Sequence, residues 1–147
     1  MDEPMIETTW DGLPVAREKP YGASILVWRR ARDGRRWLVL HRGRPGVDDA
    51  GDWAWTPPAG ARLPGEAVLA CAERELREET GLSLPLTETG LGGDDWPLFA
   101  AEAPPDAEVR LDDEHDRYEW LSLEDAAARC FPAFVGESFS AVAASLP

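Results

Sequence analysis

The chain has 147 residues, enough for one domain with its own core, and its 44% hydrophobic and 29% charged content is that of a globular protein. A net charge of −13 argues against nucleic acid or an anionic membrane as partner, because both call for basic surface. No apolar run approaches the roughly eighteen residues of a membrane span, the acidic start MDEPMIETTWDG lacks the regions of a signal peptide, and Cys71 and Cys130 match no metal spacing. A reduced, cytoplasmic protein is expected.

Residues 1–19 have no sustained periodicity and read as an N-terminal arm or edge element, with one domain over 20–147. SILVWRR (Ser24–Arg30), a turn around Asp33-Gly34 and RWLVLHR (Arg36–Arg42) predict a β-hairpin. RGRPGVDDAGD (Arg42–Asp52) reads as loop, and Pro57 and Pro58 make WAWTPPAG extended. A helix is expected from Gly65 to Thr80, stopped by Gly81. LSLPLTETG and WPLFAAEA then suggest strands, EVRLDDEHD a possible strand running into an acidic loop, and RYEWL (Arg117–Leu121) a further strand. Ser122 offers an N-cap, with Asp125 three residues on, for LEDAAARC, and a last helix covers Phe134–Ala144. Strands interleaved with two or three helices predict an α/β sandwich with a mixed sheet.

Within the first helix, ERELREETGL (Glu73–Leu82) holds four carboxylates. Glu75 and Glu79 are a like-charge i,i+4 pair, and Glu78 and Glu79 sit where the helix dipole disfavours negative charge. Projection at about 100° per residue groups Leu69, Ala72 and Leu76 as the buried stripe. It puts Glu75, Glu78 and Glu79 on the adjoining arc, and Arg74 and Arg77 outside. A solvated helix face laced with ion pairs explains Glu73, Arg74, Arg77 and Glu78. It does not explain Glu75 over Glu79. Clustered hard oxygen ligands suit Mg²⁺, Mn²⁺ or Ca²⁺, and a divalent ion would remove the repulsion.

Gly60, five residues, Glu66, seven residues, then Arg74-Glu75-Leu76-Arg77-Glu78-Glu79-Thr80-Gly81-Leu82 matches every one of nine constrained positions over 23 residues. This resembles the full signature of the Nudix hydrolases, and the resemblance extends from near Tyr21 to the final helix. It implies a Nudix-type α/β/α sandwich with the motif helix on one face of the sheet. It also implies hydrolysis of a diphosphate linkage in nucleoside diphosphates linked to X, with Mg²⁺ or Mn²⁺. Glu75 and Glu79 would be metal ligands, Glu78 a third ligand or a water-positioning carboxylate, and Gly60 a carbonyl ligand. Arg74 would orient a carboxylate. Glu66 projects away from Glu75, so holding the loop–helix junction stands beside a metal contact.

By the same resemblance a further carboxylate or histidine comes from the loop LDDEHDRYEW, with Glu114 first and His115 second as general base or extra ligand; an ordinary acidic loop is the alternative. Seven of the fourteen arginines lie between Arg29 and Arg44, and Arg42 and Arg44 could grip substrate phosphate, with a solvated loop the alternative. Among the aromatics Trp53, Trp55, Trp96, Tyr118 and Trp120, one or two could stack on a base, with Trp55 a substrate candidate; core packing is the alternative. WTPPAG resembles diadenosine polyphosphate hydrolases, which usually carry Lys or Gly at the Ala59 position. RYEWLSLEDA fits that branch and nucleoside triphosphate pyrophosphohydrolases alike, and nucleotide sugars are a third possibility. The expected partner is a small nucleotide, dimers are common among similar proteins, and a non-catalytic nucleotide-binding module is the competing function.

Overall fold

The computed structural model describes Thr8, residues 12–43 and residues 49–147. Ten elements follow in order: β1 (Gly22–Ala31), β2 (Gly34–Arg42), β3 (Trp55–Thr56), β4 (Ala59–Ala61), α1 (Val68–Thr80), β5 (Thr87–Glu88), β6 (Leu98–Glu102), β7 (His115–Leu121), α2 (Leu123–Arg129) and α3 (Ala133–Ser145). All seven strands form one sheet. Its main path runs β3-β2-β1-β6-β5, with β4 on β1 and β7 on β2. The β1–β6 pair is parallel and the others antiparallel, so the sheet is mixed, as expected.

The hairpin forms where the two apolar runs around Asp33-Gly34 predict it. Ala31 pairs with Gly34 across the turn, and Gly34 takes a φ of 126°, which only glycine adopts cheaply. Seven successive residues of β1 are buried, because helices cover the sheet on both faces. Ile25, Val27, Leu38, Leu40 and Phe99 meet Ala72 and Leu76 of α1. Leu26, Trp28, Trp37 and Val39 meet Ala126 of α2 and Val135, Phe139 and Val142 of α3. The period-2 alternation of strand side chains thus builds two cores, one on each side of the sheet. Ser122 Oγ caps α2 by accepting from the Asp125 N–H at 3.2 Å.

Four sequence expectations need correction. Helix α1 begins at Val68, not Gly65: Gly65 has φ 75°, and Glu66 folds back so that its Oε1 accepts from the Leu63 N–H at 3.1 Å. The buried stripe is Cys71, Ala72, Leu76 and Thr80, whereas Leu69 is 43% exposed. LSLPLTETG yields only the two-residue β5, and EVRL forms no strand. Val109 and Leu111 pack on the α1-side core, and the Arg110 N–H donates to Thr80 O at 2.8 Å, so this stretch is tied to a helix end instead of a ladder. Finally, β7 starts at His115, two residues before RYEWL, because Arg42 pairs with His115 after a bulge. The ladder steps from His41↔Arg117 to Arg42↔His115, leaving Asp116 as the extra residue.

Candidate active site

The carboxylates converge where α1 crosses β4. Thr80 Oγ1 donates to Leu76 O at 2.6 Å inside the last turn, and the Gly81 N–H closes the helix on Arg77 O at 2.8 Å, with Gly81 left-handed at φ 75°. That rigid end presents Glu75 and Glu79 toward the sheet at 7% and 4% exposure. Glu79 Oε1 accepts from the Ala59 N–H at 3.1 Å. The Glu75 carboxylate rests against the α-carbon of Gly60, where any Cβ would fall on it. Glycine is required at position 60 for that close approach.

Arg74 organises this cluster, and it is not on the outer side of the helix as the projection suggests. Its Nε and Nη2 donate to both oxygens of Glu66 at 2.8 and 2.9 Å, and its Nη1 donates to Glu75 at 2.8 Å and to Glu78 at 3.2 Å. Nη2 also donates to Ala61 O at 3.0 Å. Glu66 reaches this fork because it precedes the helix, which answers the junction question: its carboxylate holds the loop to α1. Glu78 is half-exposed at the rim.

Burial pushes the Glu75 carboxyl above its ordinary pKa, against the pull of Arg74. Burial pushes Glu79 further up, with the charge of Glu75 next and that of Glu114 adding to it, opposed by the Ala59 N–H. Two buried carboxylates side by side resist joint ionisation, and a divalent cation among them removes the cost. Glu75, Glu79 and the Gly60 carbonyl offer hard oxygens, so the donor set fits Mg²⁺ or Mn²⁺. Cys71 also approaches Gly60 O, its Sγ at 3.8 Å, but burial pushes that thiol up to about 12, which leaves it neutral. Cys130 is likewise buried, and both thiols are free.

Glu114 and His115, the two loop candidates, are both buried. Glu114 has Arg42 Nη1 at 3.5 Å, and its carbonyl accepts from the Gly43 N–H at 3.0 Å. His115 Nδ1 faces Asp112 Oδ1 at 2.8 Å. Arg42 Nε is buried with no hydrogen-bond partner among the described residues. Arg44 lies outside the described residues.

Trp55 lies across the sheet from α1, buried at 5% exposure in the α2/α3 core. The His41 ring stands 4.7 Å away, and the guanidiniums of Arg117 and Arg129 lie over the indole at 5.4 and 4.9 Å. Its ring is therefore covered, and it forms a wall instead of an open stacking face. Trp53, by contrast, is 45% exposed and meets the exposed ring of Phe134 at 5.5 Å.

Sequence reasoning missed two residues here. Buried His41 shares its Nδ1 with Asp116 Oδ1 at 2.7 Å, a contact that holds Asp116 below the usual carboxylate range. Arg62 is buried two residues from Gly60. Neither occupies a position that the spacing specifies; for His41, the unpaired position in β7 was invisible before pairing was known.

The NUDIX domain model matches residues 20–140. The chain is 36% identical over 85 residues to the mouse bis(5'-nucleosyl)-tetraphosphatase (asymmetrical), covering 49% of this chain and 58% of that protein. It is 34% identical over 122 residues to a Myxococcus xanthus protein named octanoyltransferase, covering 75% of this chain and 29% of that one. The chain thus spans under two thirds of each. Among solved structures, the C. elegans Ap4A hydrolase binary complex superposes with a TM-score of 0.67 at 24% identity, over 85% of this chain and 98% of that one. The M. smegmatis Nudix hydrolase RenU superposes with a TM-score of 0.67 at 22% identity, over 95% and 94%. A family model covering most of the chain, with every signature residue in place around one buried carboxylate cluster, makes this chain a member of the Nudix family.

Proposed function

We propose that the chain hydrolyses a phosphoanhydride bond in a small nucleotide-type substrate, a nucleoside diphosphate linked to X, by water attack at phosphorus. The observation that carries this reading is the burial of Glu75 and Glu79 together against Gly60, a like-charge pair whose bonds to Arg74 and to the Ala59 N–H leave its mutual repulsion in place. Mg²⁺ or Mn²⁺ held by Glu75, Glu79, Glu78 and the Gly60 carbonyl would neutralise the phosphoanhydride and acidify a water.

The remaining roles fall to the chain. Arg74 keeps Glu75 and Glu78 aimed by bonding both, and its grip on Glu66 and Ala61 O fixes the loop that carries Gly60. Glu114, buried near Glu79, accepts a proton from the attacking water, with Glu78 the alternative acceptor. Arg42, whose Nη1 stands 3.5 Å from Glu114 Oε1, contacts substrate phosphate. Trp53 is the base-stacking candidate in preference to Trp55, because its ring is open. The acidic surface keeps nucleic acid and membranes from being partners, and cytoplasmic residence belongs to the same reading.

The test is a nucleotide panel with Mg²⁺ or Mn²⁺: dinucleoside tetraphosphates, nucleoside triphosphates and nucleotide sugars. Dinucleoside tetraphosphates come first in that panel, because the chain is similar to the mouse bis(5'-nucleosyl)-tetraphosphatase. Cleavage of any member supports the enzyme. Binding without cleavage across the whole panel overturns it in favour of a nucleotide-binding module.

A further inference from the structure

Arg62 is the least expected buried charge in the molecule. It is 6% exposed, and the nearest carboxylate, on exposed Glu18, stands 3.8 Å away. Its three nitrogens instead each donate to a backbone carbonyl: Nε to Pro20 at 2.7 Å, Nη2 to Glu18 at 2.9 Å and Nη1 to Glu66 at 2.8 Å. Its own backbone is also fully engaged, the N–H donating to Tyr21 O at 2.8 Å and the carbonyl accepting from the Ala16 N–H at 2.7 Å. One residue thus ties the segment 16–21, the end of β4 and the entry to α1.

Burying a cation among neutral carbonyls carries a desolvation cost of several kcal/mol before compensation. An apolar side chain would fill the space without that cost. It would not hold three carbonyls at set directions, which only the rigid guanidinium fork does; an ammonium is a single point. What the fork holds is the stretch Ala61–Glu66, gripped from its other side by Arg74 through Ala61 O and Glu66. Gly60 sits at the head of that stretch. The Ala61 carbonyl accepts from Arg74 and the Arg62 N–H donates to Tyr21 O, so the Ala61–Arg62 peptide, the next one after the Gly60 carbonyl, is held from both sides.

We propose that Arg62 is a positioning residue for the cation site: through the loop Ala61–Glu66 it fixes the Gly60 carbonyl and the carboxylate of Glu66 for their work beside Glu75. The inference rests on the metal-dependent reading above. Arg62 touches neither substrate nor cation.

The test is the affinity of the full chain for Mn²⁺ alone, by calorimetry, in Arg62→Met, Arg62→Lys and Phe139→Leu. Phe139→Leu, in the core on the opposite side of the sheet, supplies a comparable loss of thermal stability with no link to the loop. Arg62→Met is expected to weaken Mn²⁺ binding about tenfold, the scale of losing an outer support of a metal ligand. Arg62→Lys should fall between it and wild type, and Phe139→Leu should bind as wild type. Mn²⁺ affinity within twofold of wild type in Arg62→Met overturns the proposal, as does an equal loss in Phe139→Leu. If Arg62→Met does not fold, Arg62→Lys decides: about a threefold loss supports, no loss overturns. Wild-type chain that binds Mn²⁺ but cleaves nothing in the panel defeats the hydrolase reading alone; wild-type chain that binds no Mn²⁺ defeats both.

Discussion

The two sides of the sheet are built by opposite rules. The α2/α3 side is apolar throughout its centre: Phe139 packs edge-on to Trp37 at 6.1 Å and 87°, with Leu26, Val39 and Val142 around them. The α1 side has an equally apolar middle, but at its rim it buries Glu75, Glu79 and Glu114 as well as Arg62. Charges removed from water cost stability unless fully paired. The contrast shows that one side supplies the stability that the other spends, and mutations on the two sides should separate fold from chemistry.

The largest separation is expected at Glu79→Gln. Turnover should fall about a thousandfold, the scale of losing a principal charge-stabilising contact, while the melting temperature of the metal-free protein rises because a buried repulsion is gone. Measured by turnover and thermal melts, a lower melting temperature would mean that Glu79 belongs to the fold instead. Phe139→Ala should do the reverse, costing about 3 kcal/mol by cavity formation in urea unfolding, with Mn²⁺ affinity intact. Gly60→Ala should weaken Mn²⁺ binding by about tenfold, since its methyl displaces the Glu75 carboxylate; the readout is calorimetry, and an unchanged affinity would break the assignment of this corner.

The smallest effect is a pH signature at Glu66. Its hydrogen bonds from Arg74 hold its carboxyl below the usual 4.5. An acid whose folded pKa is depressed stabilises the fold above the unfolded pKa and loses that contribution as pH falls through the folded one. The melting temperature of Glu66→Gln should therefore lie below wild type at pH 7, with the gap closing as the pH falls from the usual 4.5 through the depressed folded value. A gap that persists in acid would mean that shape, not charge, matters at this position.

Much of this division was legible from residues alone. The hairpin could be read because Ser24–Arg30 and Arg36–Arg42 are two apolar, β-branched runs on either side of a glycine turn, and the helix stop because Gly81 follows the last acidic pair. The carboxylate arc was visible as an electrostatic anomaly before any fold was known. The apolar stripe differs at Leu69 because the buried face is centred between Cys71 and Leu76 and takes in Glu75, Glu79 and Thr80, which leaves Leu69 at its edge in the first turn. Arg62 was illegible for a deeper reason: its partners are backbone carbonyls far along the chain, and backbone atoms carry no side-chain signal. The openness of Trp53 and the covering of Trp55 likewise depend on packing that alternation does not encode.

The bulge at Asp116 carries a consequence for how this family member can vary. It puts β7 out of step by one residue, so Glu114 and His115 follow a different phase from Arg117–Leu121. The irregular stretch before Asp112 is held by packing, with Val109 and Leu111 in the α1-side core and the Arg110 N–H on Thr80 O, and not by a ladder. The count between Glu114 and Arg117 is instead a gear tooth: it meshes the acidic loop with Arg42 on one side and lets Asp116 engage His41 on the other.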